Sequence, residues 1–375
     1  MRTLWQPHSL PRLRWVLVLA AILLAAPAPA AGRAASAAEG AAGSTLLVRS
    51  EASAADLASA QGLAAVRVAM QYLISDAGLL IADDFGYMRE AGIDFQAQRV
   101  DNLQLQAAMA AGQIDVGGIG ITAAVLNAAL RGVGLRIVAD RATITPGHSY
   151  LALVVRTDLV DSGQVRNVRD LRGRKIAPQP PLYGTGSWAL FARLLEMDGL
   201  SEEDVEYVPL GFADQNAGLA NGSIDAILQN EPGVAAAVES GLGVRFRGFD
   251  DVITPFTLGG MAYSEQFAAQ TDLARRFMVA YLRGVRAYLD AFDKNQGRAE
   301  VVAVLARHTA LKDPAAYDRV VMPWINPDGE FGLNGHDYTQ AYFVRHGLLP
   351  RTVDLTQLVD NSFAQYAAQT LGPYR

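Results

Sequence analysis

Apolar and polar positions along this chain follow two rhythms: short runs with a two-residue period, and longer stretches where apolar side chains recur every three or four residues. Ala65-Val66-Arg67-Val68-Ala69-Met70 reads as a strand. After a turn at Ser75-Asp76-Ala77-Gly78, an amphipathic segment runs to Glu90-Ala91-Gly92, where the glycine acts as a helix stop. The rhythm then predicts a strand at 93–100, a helix at 102–111, a strand at 114–119, a helix at 123–130 and a strand at 135–139. Tyr150-Leu151-Ala152-Leu153-Val154-Val155 is apolar throughout, as expected of a strand buried on both faces that crosses between two lobes. A second series follows, with strands at 175–177, 205–208 and 224–229 and helices at 187–197, 213–220 and 232–239. Residues 256–262 read as a return strand, and the remainder from Leu273 reads as helical, including a long helix at 272–293. Strand alternating with helix predicts an α/β fold with mostly parallel sheets.

Two segments echo one another. Ala111-Gly112-Gln113-Ile114-Asp115 and Asn221-Gly222-Ser223-Ile224-Asp225 each open a small-residue strand that leads through a turn into an alanine-rich helix. The echo predicts two similar lobes with a ligand held between them, because strand ends and helix N-termini face the crevice in such folds. Lobe 1 is expected to be discontinuous, built from residues 64–155 and 258–375, with lobe 2 inserted as 156–257.

The N-terminus departs from this pattern. Arg2, Arg12 and Arg14 precede an apolar run from Trp15 to Leu24, and small residues follow around Ala28-Pro29-Ala30, which together read as a secretory signal peptide over residues 1–31. The run is shorter than the roughly 20 residues of a spanning helix, which disfavours an uncleaved membrane anchor. Cleavage after Ala28, Ala30 or Ala37 fits equally well, and 32–63 reads as an Ala/Gly/Ser-rich leader. Residues 1–38 hold four of the 32 basic residues and no acid, so the remainder carries 28 basic and 38 acidic residues, a formal charge of −10. Such a surface disfavours nucleic acid as a partner. The chain contains no cysteine, which removes disulfides, thiolate metal sites and thiol nucleophiles. His8, His148, His308, His336 and His346 are scattered with no pair at metal-ligand spacing, so neither metal nor cofactor is expected. The expectation is an exported, periplasmic, monomeric protein that does not span the membrane once mature.

Val168-Arg169-Asp170-Leu171-Arg172-Gly173-Arg174-Lys175-Ile176-Ala177, then Gly184-Thr185-Gly186-Ser187 opening a helix that ends Glu196-Met197-Asp198-Gly199-Leu200, resembles the nitrate/sulfonate/taurine-type solute-binding proteins of ABC importers. Proteins that bind pyrimidine precursors and thiamine-biosynthesis-like proteins belong to the same group. Asn221-Gly222-Ser223-Ile224-Asp225-Ala226, Glu231-Pro232, Ser264-Glu265-Gln266-Phe267, the stretch from Phe277 to Gly284, Leu348-Leu349-Pro350, Leu358-Val359-Asp360 and Phe363 match in the same order, so the resemblance covers about residues 65–372. It implies a two-lobe periplasmic-binding-protein type II fold with two crossover strands, a small-molecule ligand, and an ABC permease with its ATPase as partners. It leaves the ligand open between sulfonate or taurine-like and aminopyrimidine-like solutes.

Four turns should meet at the cleft, since each joins the carboxyl end of a strand to a helix start. They supply Ser75 and Asp76; Gly120 and Thr122; Tyr183, Gly184, Thr185, Gly186 and Ser187; and Asn230 and Glu231. Free N–H groups at helix starts attract anions, and glycine lets an oxygen approach the backbone. The competing role for Thr122, Thr185, Ser187 and Asn230 is to cap their helices. Each helix end contributes about 0.3 to 1 kcal/mol, or about 2 when partly buried, whereas micromolar binding takes about 8 kcal/mol. Lobe closure must therefore add contacts. Tyr183 could stack on a planar ligand or face outward, Trp188 reads as core, and His148 and Tyr150 precede the first crossover as further candidates or hinge supports. Glu231 either complements its helix N-terminus or accepts hydrogen bonds from an amine. With Asp76 it favours a ligand carrying a cationic or amino-aromatic portion, unless an arginine such as Arg141 or Arg156 compensates.

The family resemblance includes a pyrimidine-precursor synthase that relies on a histidine and a cysteine-rich iron motif. The absence of cysteine and the export signal count against that enzymatic reading. A periplasmic sensory or chaperone-like partner is a third reading, with no coiled coil or fused module to support it.

Overall fold

The computed structural model describes residues 62–100, 102–178 and 184–375. The expected signal peptide and nearly all of the leader lie outside the described residues. The strands, in chain order, are β1 (Ala64–Met70), β2 (Ile93–Arg99), β3 (Val116–Ile119), β4 (Leu135–Ile144), β5 (Leu151–Arg156), β6 (Lys175–Ala177), β7 (Glu206–Tyr207), β8 (Ala226–Asn230), β9 (Gly243–Gly248) and β10 (Phe256–Ser264). They form two five-stranded sheets, ordered β2-β1-β3-β10-β4 and β7-β6-β8-β5-β9. β1 runs parallel to β2 and β3, and β6 runs parallel to β7 and β8. β10 and β5 run antiparallel to their neighbours because each enters its sheet directly from the other lobe. The helices that shape the core, cleft and hinge are α1 (Ala77–Asp84), α2 (Ala123–Leu130), α3 (Gly186–Met197), α4 (Gly233–Glu239), α5 (Thr271–Asp293) and α6 (His336–Arg345). No helix among the described residues is long and apolar enough to cross a membrane.

The repeated Gly-x-Ile-Asp performs one job twice. Gly112 (φ 68°) and Gly222 (φ 71°) turn the chain in the left-handed region that favours glycine, and Ile114 and Ile224 are buried beneath the turn. Asp115 then clasps the neighbouring parallel strand: its N–H donates to the Arg67 carbonyl and its carboxylate accepts from the Arg67 N–H at 2.9 Å. Asp225 does the same at Lys175, with its carboxylate accepting from the Lys175 N–H at 2.9 Å. An arginine completes each clasp, Arg67 on Asp115 at 2.7 Å and Arg156 on Asp225 at 3.4 Å.

The expected lobe boundary at 155 moves. β5 belongs to the second sheet, paired with β8 and β9, so the chain crosses before Leu151 and returns after Gly248. All but the last residue of β5 are buried, as predicted for a strand covered on both faces, but its place is inside the second lobe. β9 was not anticipated, although Val244 and Phe246 alternate with Arg245 and Arg247 between glycines.

One apolar cluster fills the first lobe, with Val66, Val68, Leu79, Ile81, Phe277, Tyr281 and Val285 among its members. A second runs from Ile119 and Leu126 of that lobe to Leu153, Trp188 and Phe191 of the other, so the lobes share a continuous core. In the first cluster α5 presents Phe277, Met278, Tyr281, Leu282, Val285, Tyr288 and Leu289 at helical spacing. It crosses α1 where Gly284 meets Gly78. A Cβ at Gly284 would strike the Gly78 carbonyl oxygen and come within 2.9 Å of the Ala82 nitrogen. This crossing seats the helix that carries Asp76 at its N-terminus. Gly284→Ala should therefore destabilise the fold by about 1 to 3 kcal/mol through overpacking, read as a lower urea midpoint by circular dichroism. An unchanged midpoint would show that the crossing is loose.

Candidate functional site

The first wall of the cleft follows β1. Gln71, Tyr72 and Leu73 form a tight loop in which Tyr72 takes φ 59°, an uncommon backbone for a non-glycine residue. The bend brings two amides onto one oxygen: Asp76 Oδ2 accepts from the Gln71 N–H at 3.2 Å and from the Leu73 N–H at 3.0 Å. The other oxygen, Oδ1, is paired with Arg141 of β4. Asp76 is fully buried and the Arg141 side chain is 12% exposed. Gly118 makes room for the guanidinium, since a Cβ there would lie 2.5 Å from Arg141 Cζ. Arg141 Nε is buried with no hydrogen-bond partner among the described residues. Arg141, Gln71, Met70, Val100 and Gly118 line a small recess at the end of the sheet. Ser75 is half-buried beside Asp76.

Thr122 caps α2 by accepting from the Val125 N–H at 3.2 Å, and Thr185 caps α3 by accepting from the Trp188 N–H at 3.3 Å. Both threonines therefore take the capping role. The two walls touch, since the Gly184 carbonyl accepts from the Ala123 N–H at 3.0 Å. Gly186 packs near Leu258, and Gly120 lies beside the Leu258 carbonyl. Ser187 Oγ is 3.1 Å from Thr185 Oγ1. Thr185, Ser187 and Asn230 line one concavity together with Leu151, Pro178, Trp188 and Leu228. Asn230 Oδ1 is buried there without a partner among the described residues. Tyr183 lies outside the described residues.

Glu231 makes the contacts expected of a residue that complements its helix N-terminus. Its carboxylate accepts from the Ala235 N–H of α4 at 3.0 Å, pairs with Arg245 at 3.0 Å and accepts a long contact from the Val321 N–H at 3.4 Å. Burial pushes its carboxyl up, while Ala235 and Arg245 act in the opposite sense. Arg245 was not anticipated because it lies on β9, the unanticipated strand. Arg156 compensates neither cleft acid, being paired with Asp158 and Asp225. Each of the two acids on which the expectation of a cationic ligand rested is thus paired with an arginine, Asp76 with Arg141 and Glu231 with Arg245.

Tyr150 is buried where the chain crosses between lobes. Burial pushes its phenol up, and Arg141 is near enough for its charge to oppose that. His148 lies at the hinge, with Nδ1 3.1 Å from the Met322 carbonyl. Ser149 pins both crossings, donating to the Leu151 carbonyl and accepting from the Phe249 N–H, each at 2.7 Å. No group of three metal-ligating side chains occurs among the described residues.

Residues 74–293 match the family model described as NMT1/THI5 like. The chain belongs to this family. No curated protein sequence matches it. Among solved structures it resembles the alkanesulfonate-binding protein SsuA from Xanthomonas axonopodis pv. citri bound to MOPS, at 22% identity and TM-score 0.61 over 79% of this chain and 98% of that one. It is also similar to the periplasmic nitrate-binding protein NrtA from Synechocystis PCC 6803, at 14% identity and TM-score 0.63 over 82% and 89%. The desulfurization enzyme DSZB matches at 17% identity and TM-score 0.58 over 82% and 99%. At these identities the likeness is one of fold, the two-lobe fold of periplasmic binding proteins.

Behind Arg141, Asp140 is fully buried and accepts from the Asn326 N–H at 2.7 Å. Burial outweighs its hydrogen bonds and pushes its carboxyl from the ordinary 3.8 up to about 7. Between these values the folded chain holds a proton that the unfolded chain has released, so stability falls as pH rises through this window. Asp140→Asn removes that loss. Urea unfolding at pH 5 and pH 8 should show the variant gaining about 3 kcal/mol on the parent. His336, buried and pushed down to about 4, titrates alike in both proteins and cancels. A gap independent of pH would contradict the assignment.

Proposed function

We propose that this protein is the periplasmic substrate-binding component of an ABC importer, capturing a small organic acid of the alkanesulfonate kind between its lobes and presenting it to a permease and its ATPase. The observation that carries this reading is the internal compensation of both cleft acids, Asp76 by Arg141 and Glu231 by Arg245. An aminopyrimidine or ammonium ligand needs a free carboxylate to receive its N–H groups, and these two are engaged. What remains is suited to an anion: the buried Arg141 Nε, the half-buried Ser75 beside Asp76 in the first lobe, and the Asn230 amide, which can present either its oxygen or its NH2 next to the Ser187 hydroxyl that Thr185 shares.

The solved sulfonate-binding and nitrate-binding proteins of this fold support the reading by analogy. The arginine-flanked apolar run at the N-terminus supports export. The same fold in a desulfurization enzyme shows that it can also host catalysis. The proposed role assigns no bond-making step to any residue here, and the cysteine-rich iron motif of the synthase alternative has no counterpart in a cysteine-free chain.

Isothermal titration with ethanesulfonate, butanesulfonate, taurine and an aminopyrimidine tests the proposal. An alkanesulfonate should bind with a Kd of about 10 μM or tighter, equivalent to about 7 kcal/mol. Ser75→Ala and Asn230→Ala should each weaken it about tenfold, the loss of one hydrogen bond to a charged group. Binding of the aminopyrimidine with no response to sulfonates would overturn it.

A further inference from the structure

We propose that residues 319–346 form a strap that holds the second lobe closed, gripping four of its glutamates from the far side of the hinge. The segment begins on one flank of that lobe. Arg319 pairs with Glu239 at the end of α4, and the Val321 N–H reaches Glu231. It is then fastened to β4 of the first lobe, where the Thr143 N–H donates to the Trp324 carbonyl at 2.8 Å and Asp140 accepts from the Asn326 N–H at 2.7 Å. Next it binds the returning crossover, with Asn334 Nδ2 donating to the Pro255 carbonyl at 2.7 Å and His336 Nε2 3.1 Å from the Thr257 carbonyl.

From there α6 lies along α3 of the second lobe. The Tyr338 hydroxyl donates to Glu196 at 3.1 Å, and Arg345 pairs with the same residue at 3.2 Å. Glu202 receives both the Tyr342 hydroxyl and the Trp188 indole N–H, and His346 Nε2 lies 3.0 Å from its other oxygen. The exposed pairs at Arg319 and Arg345 are individually weak. The cluster around Glu202 is the firm attachment, since the Tyr342 and Trp188 side chains are almost wholly buried.

The anchors sit beside the proposed ligand groups. Glu231 follows Asn230, and Trp188 follows Ser187. The second lobe therefore opens only by breaking these bonds or by dragging α6 away from the hinge. A strap that holds the closed form before ligand arrives raises affinity by lowering the cost of closure. The family match ends at Asp293, so the strap lies beyond it.

The affinity consequence rests on the proposed function, but closure can be measured without ligand. The chain has no cysteine, so Ala110→Cys and Asp161→Cys, both exposed and one on each lobe, place two spin labels with no background. Pulsed electron double resonance on the ligand-free full chain should give one narrow distance. Adding Arg319→Ala, Tyr342→Phe and Arg345→Ala should broaden it and produce a second, shifted population. Should that variant fail to fold, Tyr342→Phe alone removes one hydroxyl from the Glu202 cluster and is expected to broaden the distribution to a smaller extent. The same distribution with and without the strap contacts overturns the proposal, whether or not the thermal midpoint falls. Ethanesulfonate affinity should drop about tenfold in the strap variant. If ethanesulfonate binds neither protein, the sulfonate reading fails while the distance result still decides the strap.

Discussion

The buried ion pair between Asp76 and Arg141 is the constraint around which the cleft is organised. Taking two charges out of water is costly, and the cost is recovered only when geometry is good and the remaining lone pairs are satisfied. Here the satisfaction is explicit. One carboxylate oxygen gathers the amides of Gln71 and Leu73 and so defines the loop after β1, while the other meets the guanidinium. Gly118 on the adjacent strand leaves the space that the guanidinium occupies. Removing either partner would strand a buried charge at a cost of about 3 to 5 kcal/mol. The pair takes up the acid and leaves Arg141 Nε without a partner among the described residues.

The second lobe repeats this logic with different parts. Glu231 stands at the start of α4 and is compensated by Arg245 from β9, while Arg245 also donates to the Ser149 carbonyl at the crossover. The acid, its arginine and the hinge thus form one connected unit. The scaffold beneath is a true repeat, with Asp115 and Asp225 clasping β1 and β6 through the same backbone bonds. The cleft residues above it are not. Each lobe conceals a carboxylate behind an arginine, but the arginine arrives from a different strand each time.

Much of the scaffold was legible in the sequence because it depends on local pattern. The period of apolar positions located most strands and helices, and the Gly-x-Ile-Asp echo disclosed two related lobes. The lobe boundary was read late because the apolar run at 150–155 is equally consistent with a crossover and with a central strand of the second sheet; only its pairing with β8 and β9 separates the two. The roles of Asp76 and Glu231 were harder to read. Arg141 lies 65 positions from Asp76, and no local rule joins them. Arg245 was hidden on a six-residue strand whose alternation is bracketed by glycines. Thr122 and Thr185 show the opposite case, since a hydroxyl just before a helix is a local signal and each is a cap.

Fold, charge and hinge converge on one account: two lobes, joined by a shared apolar core, enclose a cleft whose acids are already paired. The most direct measurement is a crystal structure of the protein with a solute retained from the cell or supplied by titration. The account predicts an acidic group of the ligand within hydrogen-bond distance of Arg141, with Asp76 and Glu231 still bound to their arginines. A ligand nitrogen donating to the carboxylate of Asp76 or Glu231, with the arginine displaced, would contradict it.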